Sequence, residues 1–75
     1  MTKSKPYMEK LAKICKEKNY GKNVFSIITI ICCSDQMQDA GYTSEQALEK
    51  AIELVKTEPK EKVYSELLKL TGYKG

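Results

Sequence analysis

Three groups of residues in this 75-residue chain have side chains that can do chemistry: three cysteines, a spaced row of carboxylates and a cluster of lysines. The cysteines are Cys15, Cys32 and Cys33. The chain has no histidine, so no imidazole is at hand to activate a thiol, and there is no CxxC pair to begin a zinc site. An odd cysteine count is a poor basis for a disulfide framework, and free thiols in a reducing cytosol are expected. The vicinal pair Cys32-Cys33 has redox or soft-metal potential, but it ends an apolar run, where cysteine behaves as a small hydrophobe.

Glu45, Glu49 and Glu53 recur every four residues, a spacing that lines them up on one ridge if the segment is helical. Carboxylates on such a ridge repel one another weakly, and as metal ligands they are poorly specified. Lys10, Lys13 and Lys16 belong to a different region. Residues 1–22 hold seven lysines and two glutamates, residues 23–42 hold only Asp35 and Asp39, and residues 43–75 hold six lysines against six glutamates. The formal charge of +3 is therefore concentrated at the N-terminal end. Thirteen lysines without one arginine fit an AT-rich coding sequence, as in a low-GC bacterium, its phage or a plasmid. The missing arginine also removes the planar fork that reads guanine or clamps phosphate. No serine lies in a glycine-rich elbow, and so short a chain rarely encloses a substrate pocket. The expectation is no enzyme, no cofactor, no metal and no small-molecule substrate.

The elements that must position these groups are marked by punctuation at Asn19-Tyr20-Gly21, Ala40-Gly41-Tyr42, Thr57-Glu58-Pro59 and Thr71-Gly72. Each of the four intervening segments has the length of a helix. The first, about 5–18, carries Tyr7, Leu11, Ile14 and Cys15 at helical spacing, with Ser4 as cap, Pro6 in the first turn and Gly21 as stop. The second, about 23–39, opens on Asn23 as cap. Its residues Val24, Phe25, Ile27, Ile28, Ile30, Ile31 and Cys32 point all round a helix, which predicts an element buried on most sides. The same β-branched run also fits a buried strand, but no other segment supplies a ladder partner, so a strand would have to pair with a second chain. Ten apolar residues fall well short of the roughly 20 that span a bilayer, and no signal-peptide cleavage site follows them.

The third segment, about 44–56, has a capping box in Thr43 and Gln46 and an apolar stripe of Ala47, Leu48, Ala51, Ile52 and Val55. The fourth, about 59–70, starts near Thr57 or Glu58 with Pro59 in its first turn. It turns Val63, Tyr64, Leu67, Leu68 and Leu70 inward, and Gly72 ends it. The predicted fold is an all-α, single four-helix domain over residues 1–75, built around a buried apolar second helix.

Ala40, Gly41, Tyr42 and Thr43 resemble the turn of a DNA-binding helix-turn-helix, where Ala-Gly and an apolar residue precede a hydroxyl cap on the recognition helix. That resemblance implies a DNA-binding third helix, yet the helix would then turn Glu45, Glu49 and Glu53 toward phosphates, with only Gln46 as a natural base reader. The loop Ala40-Gly41-Tyr42 followed by Glu45, Gln46 and Ala47 is also similar to the Met-Gly-Phe loop of ubiquitin-associated domains, with alanine in place of methionine and a longer segment after it. Taken together, the residues predict a small cytoplasmic regulatory accessory protein that binds another protein. The contact candidates are Lys10, Lys13, Lys16, Tyr42, Glu45, Glu49 and Glu53, with Tyr20 and Tyr73 as further aromatic anchors. A homodimer is a second expectation and no membrane contact is foreseen. The alternative is a small DNA-binding factor that uses the helix-turn-helix-like segment or the N-terminal lysines.

Overall fold

A computed structural model describes residues 5–72, which form five helices and no strand. They are α1 (Lys5–Glu17), α2 (Lys22–Cys32), α3 (Asp35–Asp39), α4 (Ser44–Thr57) and α5 (Lys60–Leu70). The all-α expectation is met. The apolar run of the second segment is a helix through Cys32, and not the strand that would have needed a second chain to pair with. The proposed cap Ser4 and the anchor Tyr73 lie outside the described residues.

The joints are built from local chemistry. α1 ends in a Schellman motif: Asn19 takes the left-handed conformation (φ 63°), the Tyr20 N–H donates to the Cys15 carbonyl at 2.8 Å, and the Asn19 N–H donates to Lys16 at 3.0 Å. Asn19 therefore stops α1, in place of the predicted Gly21. Asparagine tolerates a positive φ better than other residues with a Cβ. Gly21 instead caps the start of α2 in an extended conformation, the role predicted for Asn23.

The predicted second segment is two helices. Ser34 breaks it: its hydroxyl donates to the Ile31 carbonyl at 2.8 Å and accepts from the Met37 N–H at 3.2 Å. One side chain thus closes α2 and caps α3. α3 ends like α1, with Gly41 at φ 95°, Tyr42 N–H donating to Met37 at 3.1 Å and Gly41 N–H donating to Gln38 at 2.9 Å. α4 opens on the predicted capping box: the Thr43 hydroxyl accepts from Gln46 N–H at 3.1 Å, while the Gln46 amide oxygen accepts from Thr43 N–H at 3.0 Å. Pro59 is the residue before α5, and Glu58 ends α4. Gly72, at φ 80°, follows the end of α5 as predicted.

The core joins Leu11 and Cys15 of α1, Val24, Ile28 and Cys32 of α2, Met37 of α3, Val63 and Leu67 of α5, and the whole apolar stripe of α4. α4 touches each of the other four helices and buries Ala47, Leu48, Ala51, Ile52 and Val55. The central element is therefore α4. The molecule measures 33 × 31 × 19 Å. With helices packing about 8–10 Å apart, the short dimension holds two layers. α2 is covered on one face only: Val24, Ile28 and Cys32 are buried, while Ile27 is 44% exposed and Ile30 68% exposed. Among the described residues no helix is long and apolar enough to cross a membrane.

Candidate functional site

The predicted contact residues fall on two separate faces. The acidic one is built by the α3–α4 turn and the outer side of α4. The Schellman turn at Gly41 folds Tyr42 back toward α3, where it packs half-buried against the core. The capping box then fixes the direction in which α4 departs, and the i, i+4 spacing carries Glu49 and Glu53 along its outer side. Gly41, Tyr42, Gln46, Glu49, Lys50 and Glu53 line one open groove of about 400 Å³. Glu45 lies around the corner, in a shallower depression that it shares with Gln38, Gly41, Tyr42, Thr43 and Ser44. Tyr42 borders both. Of the predicted acidic residues, Glu49 and Glu53 thus share a groove with Tyr42, and Glu45 stands beside it. Sequence reasoning missed Gln46 and Lys50 as groove residues. Their signal was available, because on α4 they sit one turn from Glu49 and Glu53.

The basic face belongs to α1. Lys10, Lys13 and Lys16 are all exposed. They make no ion pair with the α4 glutamates; among the described residues the one ion pair joins Lys69 to Glu66 at 2.9 Å on α5. Lys16 leaves the other two to line a groove between α1 and α2 with Ala12, Cys15, Tyr20, Gly21, Lys22 and Phe25. This groove is more apolar than the α4 one, with two lysines at its rim. Tyr20 reaches it for the same reason that Tyr42 reaches the other: each is the residue after a left-handed helix terminator. Burial, with the Cys15 thiol and the Tyr20 phenol nearby, pushes the Tyr64 phenol above its ordinary pKa.

The cysteines are all free thiols. Cys15 and Cys32 are buried and Cys33 is exposed. Burial, with Cys33 alongside as a second cause, pushes Cys32 up to about 12, and burial also raises Cys15. A thiol held that high stays protonated and is a poor nucleophile or metal ligand at neutral pH. Among the described residues no group of three or more cysteine, aspartate or glutamate side chains is placed to hold a metal ion. No buried side-chain polar atom among them lacks a hydrogen-bond partner, so no orphaned group points into a cleft.

The class that these features define is a compact all-α domain with open grooves. No protein-family model matches the chain, and comparison with curated proteins and with solved structures finds no match.

Proposed function

We propose that this chain is a small, non-enzymatic accessory protein that acts in the cytoplasm by binding another protein. The observation that carries the reading is the α4 groove, in which a half-buried tyrosine lies beside two exposed carboxylates one helical turn apart. Such a groove suits a lysine- or arginine-bearing segment: the aliphatic stem packs on Tyr42 and the cation meets Glu49 and Glu53. Buried aromatics with charged rims are the usual anchors of protein interfaces. The free, largely buried cysteines suit a reducing compartment. A regulatory role in a phage or plasmid fits the size and the lysine-only basicity.

The test is affinity capture from the source cell, with the wild type beside a Glu49→Lys/Glu53→Lys variant. A protein retained by the wild type and lost from the variant is the expected result. Identical capture by both would remove the α4 groove from the account.

A second reading, DNA contact through α1, is favoured by the exposure of Lys10, Lys13 and Lys16 outside any ion pair among the described residues. Titration against mixed-sequence duplex at low and moderate salt separates the two. Binding tighter than about 10⁻⁴ M that weakens steeply with salt, and that Lys13→Glu reduces, would favour DNA; no binding at low salt would dismiss it.

A further inference from the structure

The groove between α1 and α2 combines an apolar floor with a positive rim that nothing nearby neutralises. Ala12 and Cys15 of α1 and Phe25 of α2 line it, Tyr20 enters it from the joint, and its volume is about 360 Å³. Tyr20 and Phe25 are half-buried against the core, so the floor is held by the fold. Lys16 and Lys22 border the same groove, one from each helix. Both are exposed, and among the described residues neither is in an ion pair. No acidic side chain lines the groove, and the sequence holds none between Glu17 and Asp35.

The start of α2 adds to this charge instead of offsetting it. An acidic residue in the first turn is the usual complement to the positive end of a helix. α2 has none there, has no side-chain cap and opens on Lys22 itself. Two ammonium groups and a helix terminus thus attract an anion, while the floor rewards hydrocarbon. Nucleic acid is the poorer fit. A bound strand needs cations along a track of several nucleotides, whereas Lys22 is the one charged residue of α2. An open groove of this size suits one large side chain presented by another protein, with negative charge beside it.

We propose that the α1–α2 groove docks an acidic segment of a partner protein. One large apolar side chain of that segment packs on Tyr20 and Phe25, and the carboxylates flanking it meet Lys16 and Lys22. The selectivity is the reverse of that of the α4 groove, which suits a basic segment. The two grooves share no lining residue, so the two readings are tested separately. A single side chain between two exposed lysines makes a weak, reversible contact, with a Kd near about 10⁻⁴ M.

Amide NMR shifts during titration with a capped pentapeptide, phenylalanine between two pairs of glutamates, test it. Saturable shifts at Lys16, Tyr20, Gly21, Lys22 and Phe25 are expected. Replacing the peptide's phenylalanine by glycine weakens binding at least tenfold, and replacing its glutamates by lysines abolishes it. Lys16→Glu/Lys22→Glu also weakens binding at least tenfold and keeps the dispersed spectrum of the folded protein, because both side chains are exposed. Lys56→Glu/Lys62→Glu changes the net charge equally outside the groove and weakens binding less than threefold. No saturable shift up to about 2 mM peptide, or equal losses in the two charge variants, overturns the proposal. Octanoate or oligothymidylate saturating the same amides more tightly than the peptide overturns the choice of a protein segment as occupant.

Discussion

α4 and α2 have opposite relations between composition and burial. α4 alternates charge and hydrocarbon, yet it sits at the centre of the molecule and buries five side chains. α2 is the most apolar helix of the chain, yet it buries only Val24, Ile28 and Cys32 and turns Ile27 and Ile30 to the outside. The difference teaches that the periodicity of apolar residues places a helix better than their number does. A helix with one clean stripe can be covered completely along that stripe. A helix apolar all round needs neighbours on every side, and a molecule 19 Å thick does not supply them.

Several substitutions sharpen or break that contrast. The largest effect is expected in the α4 stripe. Leu48 is fully buried, and Leu48→Ala should cost about 3 kcal/mol in urea unfolding through lost transfer energy and a cavity. For a domain of this size, where a few kcal/mol is much of the total, that variant should be near the edge of folding. A loss below about 1 kcal/mol would mean that α4 is not the central helix.

Next comes the turn that aims Tyr42. Gly41 has φ 95° and open space where a Cβ would stand, so Gly41→Ala meets backbone strain and no clash. A loss of about 1–2 kcal/mol is expected. Gly21→Ala, which also has open space but an extended φ of −75°, should cost well under that. Equal effects at the two glycines would contradict the left-handed turn.

Third is the capping box. Thr43→Ala removes the hydroxyl that accepts from Gln46 N–H and should destabilise by about 1 kcal/mol, measured as a fall in the urea midpoint at constant slope.

The smallest effect at neutral pH concerns the thiols. Cys33 should react with a maleimide in the folded protein, whereas Cys15 and Cys32 should react only on unfolding. Cys32 is held up to about 12, above its ordinary 9. The folded state therefore keeps a proton that the unfolded chain loses first. The stability this confers is complete below pH 9 and is lost as pH rises toward 12. Urea midpoints that rise over that window would contradict a buried, protonated Cys32.

Much of the fold was legible because its signals are local. The expected third segment, 44–56, is α4 almost to the residue, since a hydroxyl, an amide three residues on and a clean stripe follow one another there. α1 and α5 also match their predicted limits within a residue. The break at Ser34 was not read because an apolar run drew one helix across it. The signal was a serine followed by aspartate, a cap with an acidic first turn. Glycine is the commoner terminator, so Gly21 is the stop that composition suggests, but Asn19 stands directly before the aromatic that closes the motif. The acidic side of the candidate site was legible as spacing on one helix. The free face of α2 was not, because composition alone does not say which isoleucine a neighbouring helix will cover.

That last point is also the most direct test of the account. Ile28 and Ile30 are the same residue type, two positions apart on one helix, with Ile28 fully buried and Ile30 68% exposed. Urea unfolding of Ile28→Ala and Ile30→Ala, at a low micromolar concentration where self-association is negligible, compares them with everything else held constant. Ile28→Ala should lose about 3 kcal/mol and Ile30→Ala no more than about 0.5 kcal/mol. Equal losses would mean that α2 is enclosed on both sides, and the description of a one-sided helix beside a central α4 would be wrong.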